Sequence, residues 1–162
     1  MSLAKELNLD VPFKDICHEA VLNIVRTANM LTTAADQLFR QHDLTEAQFN
    51  VLFSLKYNPR HVTQTDLGKR LVVTRASITS ILDKLESKGL VERIDVPDNR
   101  RIYHVEMTER GHTVLDELEP LYREKVHEVM EGLTERDCKT LIGLLERVRV
   151  GKTLLQETFA RP

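Results

Sequence analysis

The stretch TRASITSILDKLESKGLVERIDVPDNRRIYHVEM, Thr74 to Met107, changes its hydrophobic period partway along. In its first part Ile78, Ile81, Leu82 and Leu85 recur at spacings of three and four, the stripe of a helix with one side turned inward. Thr74 stands before that stripe as a cap for a free backbone N–H, and Gly89 follows it, suited to a left-handed helix end. Beyond the glycine the period shortens. LVERI and RIYHVEM alternate in character, and VPDN between them supplies turn residues, so a small antiparallel hairpin is expected. Two adjacent arginines, Arg100 and Arg101, fall at its tip.

Working outward, the same helix-start signal recurs: a threonine followed three residues later by a side chain that can answer it. Thr45 with Gln48, Thr63 with Asp66 and Thr134 with Asp137 fit it, and Thr108 is a further cap. The helices expected from these starts run from Glu46 to Lys56, Gln64 to Leu71, Arg75 to Lys88, Glu109 to about Gly132 and Glu135 to about Phe159. Upstream, Phe13, Ile16, Cys17, Ala20, Val21, Ile24, Ala28, Leu31, Ala35 and Leu38 predict one long amphipathic helix over residues 13–42. The fold class is therefore mostly α. Three short helices followed by a two-stranded hairpin form a winged helix-turn-helix, here flanked by long N- and C-terminal helices.

The composition agrees with such a fold. A chain of 162 residues supports one core, and 41% hydrophobic and 30% charged residues with only 6 Gly and 5 Pro describe a helix-rich globular protein. No apolar run approaches the roughly 18 residues of a membrane span, and the start lacks the apolar core of a signal peptide, so a cytoplasmic protein that leaves membranes alone is expected. The net charge of -2 conceals a segregation: between Lys56 and His104 ten Lys and Arg face six Asp and Glu, while the flanks are acidic. A local basic footprint of this kind points to nucleic acid. On the last short helix Arg75, Ser77, Thr79, Ser80 and Lys84 lie off the apolar stripe. Short hydroxyls let a groove edge approach, and an arginine at a helix N-terminus can fork onto a guanine or a phosphate.

At LTEAQFNVLFSL (Leu44–Leu55), VTQTDLGKRL (Val62–Leu71), ASITSILDKLESKGLVER (Ala76–Arg93) and PDNRRIYHVEMTERG (Pro97–Gly111) the chain resembles the MarR family of bacterial winged-helix transcription regulators. The family's wing usually carries Asp immediately before the paired arginines; here Asn99 stands there, and Asp95 or Asp98 is left to brace them. The resemblance implies a homodimer on a pseudo-palindromic double-stranded DNA operator, with residues 1–43 and 109–162 for dimerisation and residues 44–108 as the DNA-binding lobe, all in one intertwined folding unit. The apolar stripes of the terminal helices, including Leu115, Leu118, Leu121, Val126, Leu141, Leu144, Leu145, Val148, Leu154 and Phe159, exceed what one small winged domain could cover. Expected DNA contacts are Gln64, Thr65, Thr74, Arg75, Ser77, Thr79, Ser80 and Lys84, with Arg100 and Arg101 clamping a phosphate or entering a minor groove. The implied role is a repressor released by a small organic effector, anionic or phenolic, for which His18, Arg26 and Asn29 are the candidate lining.

Other chemistries are less well supplied. Cys17 and Cys138 match no disulfide or metal-knuckle spacing and read as small buried apolar side chains; Cys17 beside His18 is the candidate for a redox-sensing alternative. His112 with Asp116, and His42, do not make a metal cluster, so neither metal nor cofactor is expected. A Gly-rich phosphate loop, a G-x-S-x-G turn and an HExxH pair are all missing, which excludes an enzyme reading. The remaining alternative is a winged-helix protein-interaction module without specific DNA binding. Arg75, Lys84, Arg100 and Arg101 argue against it.

Overall fold

The computed structural model describes residues 3–11, 13–58, 62–71, 74–96 and 99–159, without the side chains of residues 75, 99–102 and 151–159. Its elements in chain order are α1 (Leu3–Glu6), α2 (Ile16–Arg40), α3 (Glu46–Lys56), α4 (Gln64–Arg70), α5 (Arg75–Ser87), β1 (Val91–Val96), β2 (Asn99–Met107), α6 (Glu109–Met130) and α7 (Glu135–Phe159). The chain divides into two compact units, Met1–Tyr122 and Arg123–Pro162.

Helix starts follow the threonines. Thr45 and Gln48 form a reciprocal capping box, as do Thr63 and Asp66, and Thr74 accepts from the Ser77 N–H at 3.2 Å. Thr108 accepts from the Gly111 N–H at 3.1 Å and donates to the Gly89 carbonyl at 2.7 Å, so one hydroxyl opens α6 and ties it to the end of α5. Gly89 has φ +66, the left-handed exit expected of it. The long N-terminal helix begins three residues later than the periodicity suggests. Asp15, extended, accepts from the Cys17 N–H at 2.8 Å and fixes the start at Ile16. The short α1 was not foreseen.

In the first unit the core is built from every element of the lobe. Leu44 comes from the turn before α3, Phe49, Val51, Leu52 and Leu55 from α3, Leu67 from α4, Ile78, Leu82 and Leu85 from α5, Val91 and Val105 from the hairpin, and Leu115 and Leu118 from α6. From α2 the fully buried residue is Phe39, stacked on Phe49 with centroids 4.2 Å apart. Ile81 packs against this core from its edge. At the far end of α3, Glu119 is buried and accepts from Lys56 at 2.8 Å and from the Tyr57 hydroxyl. Lys56 also reaches Asp116 at 2.7 Å, and these carboxylates hold its ammonium well above the ordinary lysine range.

The hairpin is antiparallel and pairs Val91 with Met107, Arg93 with Val105 and Asp95 with Tyr103; the register shifts between Asp95 and Val96. The VPDN turn includes residues 97 and 98, which lie outside the described residues. β2 is anchored to the α4 side as well, since the Val105 N–H donates to the Val62 carbonyl at 2.8 Å and Thr63 bridges to His104.

The second unit holds the last turns of α6 and all of α7. Thr134 accepts from the Asp137 N–H, and its hydroxyl and backbone N–H donate to the Asp137 carboxylate at 2.5 and 3.0 Å, the two bonds that lower the Asp137 pKa. Leu141, Ile142, Leu144, Val148 and Val150 are exposed in the single chain. The same is true of α2, where Ile16, Val21, Val25 and Met30 remain about half or more exposed. Both cysteine expectations need correction here: Cys17 is exposed and Cys138 is half-buried, because each lies on a helix surface that the single chain leaves open.

Candidate nucleic-acid interface

α5 is held in place from behind. Ile78, Leu82 and Leu85 are buried at 1% exposure or less, which fixes the rotation of the helix about its own axis and decides what the other side presents. Ser77, Ser80 and Lys84, spaced three and four apart, are exposed together on that other side. Thr74 caps the helix and its hydroxyl lies 2.8 Å from the Ser77 hydroxyl, so both are ordered at the end where the helix dipole is positive. Arg75 occupies the first helical position. Its side chain, like those of Arg100 and Arg101 on β2, lies outside the described residues. Thr65 is exposed on the first turn of α4.

Two of the expected contact residues have other partners. Gln64 donates from Nε2 to the Thr79 hydroxyl at 2.5 Å and accepts on Oε1 from the Tyr103 hydroxyl. Gln64 and Thr79 are both half-buried, turned toward each other rather than outward. One amide thus joins α4, α5 and β2.

Sequence reasoning missed Arg93. Its neighbour Ile94 is 40% exposed, while Arg93 shares the inner face of β1 with Val91. Its side chain is 20% exposed. Nη2 meets the Asp83 carboxylate at 2.6 Å, Nη1 meets Glu86, and the guanidinium lies 5.1 Å from the centre of the Tyr103 ring. Burial lowers the guanidinium's pKa, but the bonds to Asp83 and Tyr103 and the charge of Glu86 outweigh it and the net shift is upward. A signal was present in the sequence: Asp83 and Glu86 are a turn apart on α5, opposite the arginine of the next element.

The candidate effector residues lie along α2. Arg26 donates from Nε to Glu6 at 2.7 Å, His18 meets the Phe13 ring edge to face at 6.0 Å, and Asn29 is exposed. A depression of about 500 Å³ is lined by His42, Asp43, Leu44, Glu86, Ser87, Lys88, Gly89, Leu90, Arg110 and Val114, so none of the three contributes to it. Among the described residues no group of three or more His, Cys, Asp or Glu is placed to hold a metal ion, and no helix is long and apolar enough to cross a membrane.

Comparison with known proteins places this geometry. The sequence model of the MarR family matches residues 42–102, from the turn before α3 to the wing. The multiple antibiotic resistance protein MarR of Escherichia coli (strain K12) is 31% identical over 133 residues, 79% of this chain and 92% of that protein. The crystal structure of a mutant MarR from E. coli complexed with operator DNA superposes with a TM-score of 0.69 at 31% identity, covering 83% of this chain and 99% of that one. The MepR–DNA complex of S. aureus is similar in fold, with a TM-score of 0.76 at 21% identity over 81% of this chain and 96% of that one.

Proposed function

Because this chain belongs to the MarR family, whose members are transcriptional regulators and not enzymes, we propose that it is a cytoplasmic, sequence-specific DNA-binding repressor acting as a homodimer. The observation that carries this reading is the exposed Ser77–Ser80–Lys84 face of α5, backed by a buried stripe that keeps it outward. α5 enters the major groove with that face. Ser77 and Ser80 approach base edges, Lys84 and Arg75 neutralise phosphates, and Thr65 on the first turn of α4 and the cap Thr74 of α5 lie against the backbone. Arg100 and Arg101, at the wing, clamp the adjacent phosphate or enter the minor groove. Gln64 and Thr79 serve the interface from behind.

The dimer is supported by the aliphatic side chains that α2 and α7 leave uncovered, more than the scattered apolar residues of a monomer's surface. A small organic anion or phenol, taken up near α2 with His18, Arg26 and Asn29 among its lining, relieves repression by favouring a dimer whose recognition helices no longer match consecutive major grooves.

Selection of bound fragments from a genomic duplex pool by the purified chain, at physiological salt, tests the reading. Enrichment of one inverted repeat is expected. On that repeat Lys84→Ala should weaken binding and reduce the slope of log affinity against log salt by about one. Recovery of fragments without a common sequence would contradict it.

A further inference from the structure

The wing and the recognition helix are joined by a circuit of polar side chains that the exposed face does not use. Thr79, Asp83 and Glu86 are spaced four and three apart, which aligns them on one side of α5. That side meets Gln64 of α4, Arg93 of β1 and, through both, Tyr103 of β2. Gln64 holds the Thr79 and Tyr103 hydroxyls at once; Arg93 holds Asp83 and Glu86 with separate η nitrogens and covers the Tyr103 ring. A planar guanidinium engaged on two carboxylates and an aromatic face has one orientation, unlike an ammonium on a flexible stem.

We propose that Arg93 is a positioning residue for operator binding, fixing the wing against α5 and so setting the offset between the base pairs read in the major groove and the flanking site reached by the wing. This rests on the DNA-binding reading above. The arrangement accounts for an arginine on the inner face of a small hairpin, where an aliphatic residue would pack without desolvating a charge. It also accounts for two carboxylates on a helix that approaches a polyanion. Asp83 and Glu86 would repel phosphates if left alone, and Arg93 neutralises them while using them as an anchor.

The test separates positioning from charge. The wild-type chain, Arg93→Met, and the double variant Asp83→Asn with Glu86→Gln are titrated on the tightest duplex that the wild type recovers from a randomised pool, and each complex is footprinted with hydroxyl radicals. Positioning predicts that both variants bind roughly three- to thirtyfold more weakly, keep protection over the central major-groove contacts and lose it at the flanks. If Arg93 acted only as a cation near DNA, the double variant, which keeps Arg93 and removes two negative charges, would bind more tightly than wild type. Tighter binding by the double variant, or unchanged flanking protection in both variants, overturns the inference and leaves the DNA-binding reading standing. Failure of the wild type to recover any duplex overturns that reading and this inference with it. The double variant changes two exposed carboxyl groups to amides of the same shape, so it reports even where Arg93→Met disturbs folding.

Discussion

At Gly111 a β-carbon would meet the Leu90 carbonyl oxygen at 2.1 Å and the Met107 Cγ at 2.6 Å. The glycine lets the first turn of α6 lie directly against the chain that leaves α5, at the point where the Thr108 hydroxyl bonds to both. Backbone cannot step aside as a flexible side chain can, so Gly111→Ala should cost about 3 kcal/mol, read as a lowered denaturant midpoint. A variant as stable as wild type would show that the junction relaxes freely. Gly89 is different: nothing lies within 4 Å of its absent β-carbon, and its requirement comes from φ +66 alone. The candidate site divides on similar grounds. Ser77, Ser80 and Lys84 could be placed from the stripe of Ile78, Leu82 and Leu85, since three buried positions fix a helix's rotation. The inward turn of Gln64, Thr79 and Arg93 could not, because the partners of each belong to other elements.

The helices of the lobe were legible because their starts carry local chemistry. Thr45, Thr63 and Thr74 each satisfy a backbone donor within three residues, a bond that needs no tertiary context. α4 makes the energetic content testable. Asp66 accepts from the side chain and the backbone N–H of Thr63, which lowers its pKa below the ordinary aspartate value of about 3.9. A depressed carboxylate stabilises the folded state at every pH above its unfolded value, and that contribution is lost as pH falls through the folded value. Asp66→Asn should therefore be less stable than wild type at neutral pH, and the gap between their urea midpoints should close below about pH 4. A gap independent of pH would mean that the charge of Asp66 contributes nothing. The hairpin was legible only in outline. Its polarity alternates, but the inner face is set by what α5 and α4 present, and Asp83 and Glu86 hold an arginine there.

For the whole molecule, the long helices were legible as amphipathic while their partner was not, because in the proposed assembly the partner is a second copy of the same chain. Ile16 at 75% exposure and Val150 at 72% are costly to leave in water over such long helices. Val25→Asp, on the open face of α2, should shift the sedimenting species from dimer to monomer or bring the chain out of solution. A variant that still sediments as the wild-type dimer would remove α2 from the interface. In the proposed assembly, pairing two copies would also double the basic segment between Lys56 and His104 and bring two copies of α5 to one duplex, which would let a chain of net charge -2 hold a polyanion.

The most direct measurement is the affinity of the chain for a series of duplexes carrying the selected inverted repeat with its half-sites moved apart one base pair at a time. Two recognition helices fixed in one dimer predict tightest binding when the half-site centres are about one helical turn apart, roughly 10 base pairs, and a loss of at least about tenfold half a turn away. Equal affinity at every spacing would contradict the account, because each half-site would then be bound by an independent chain.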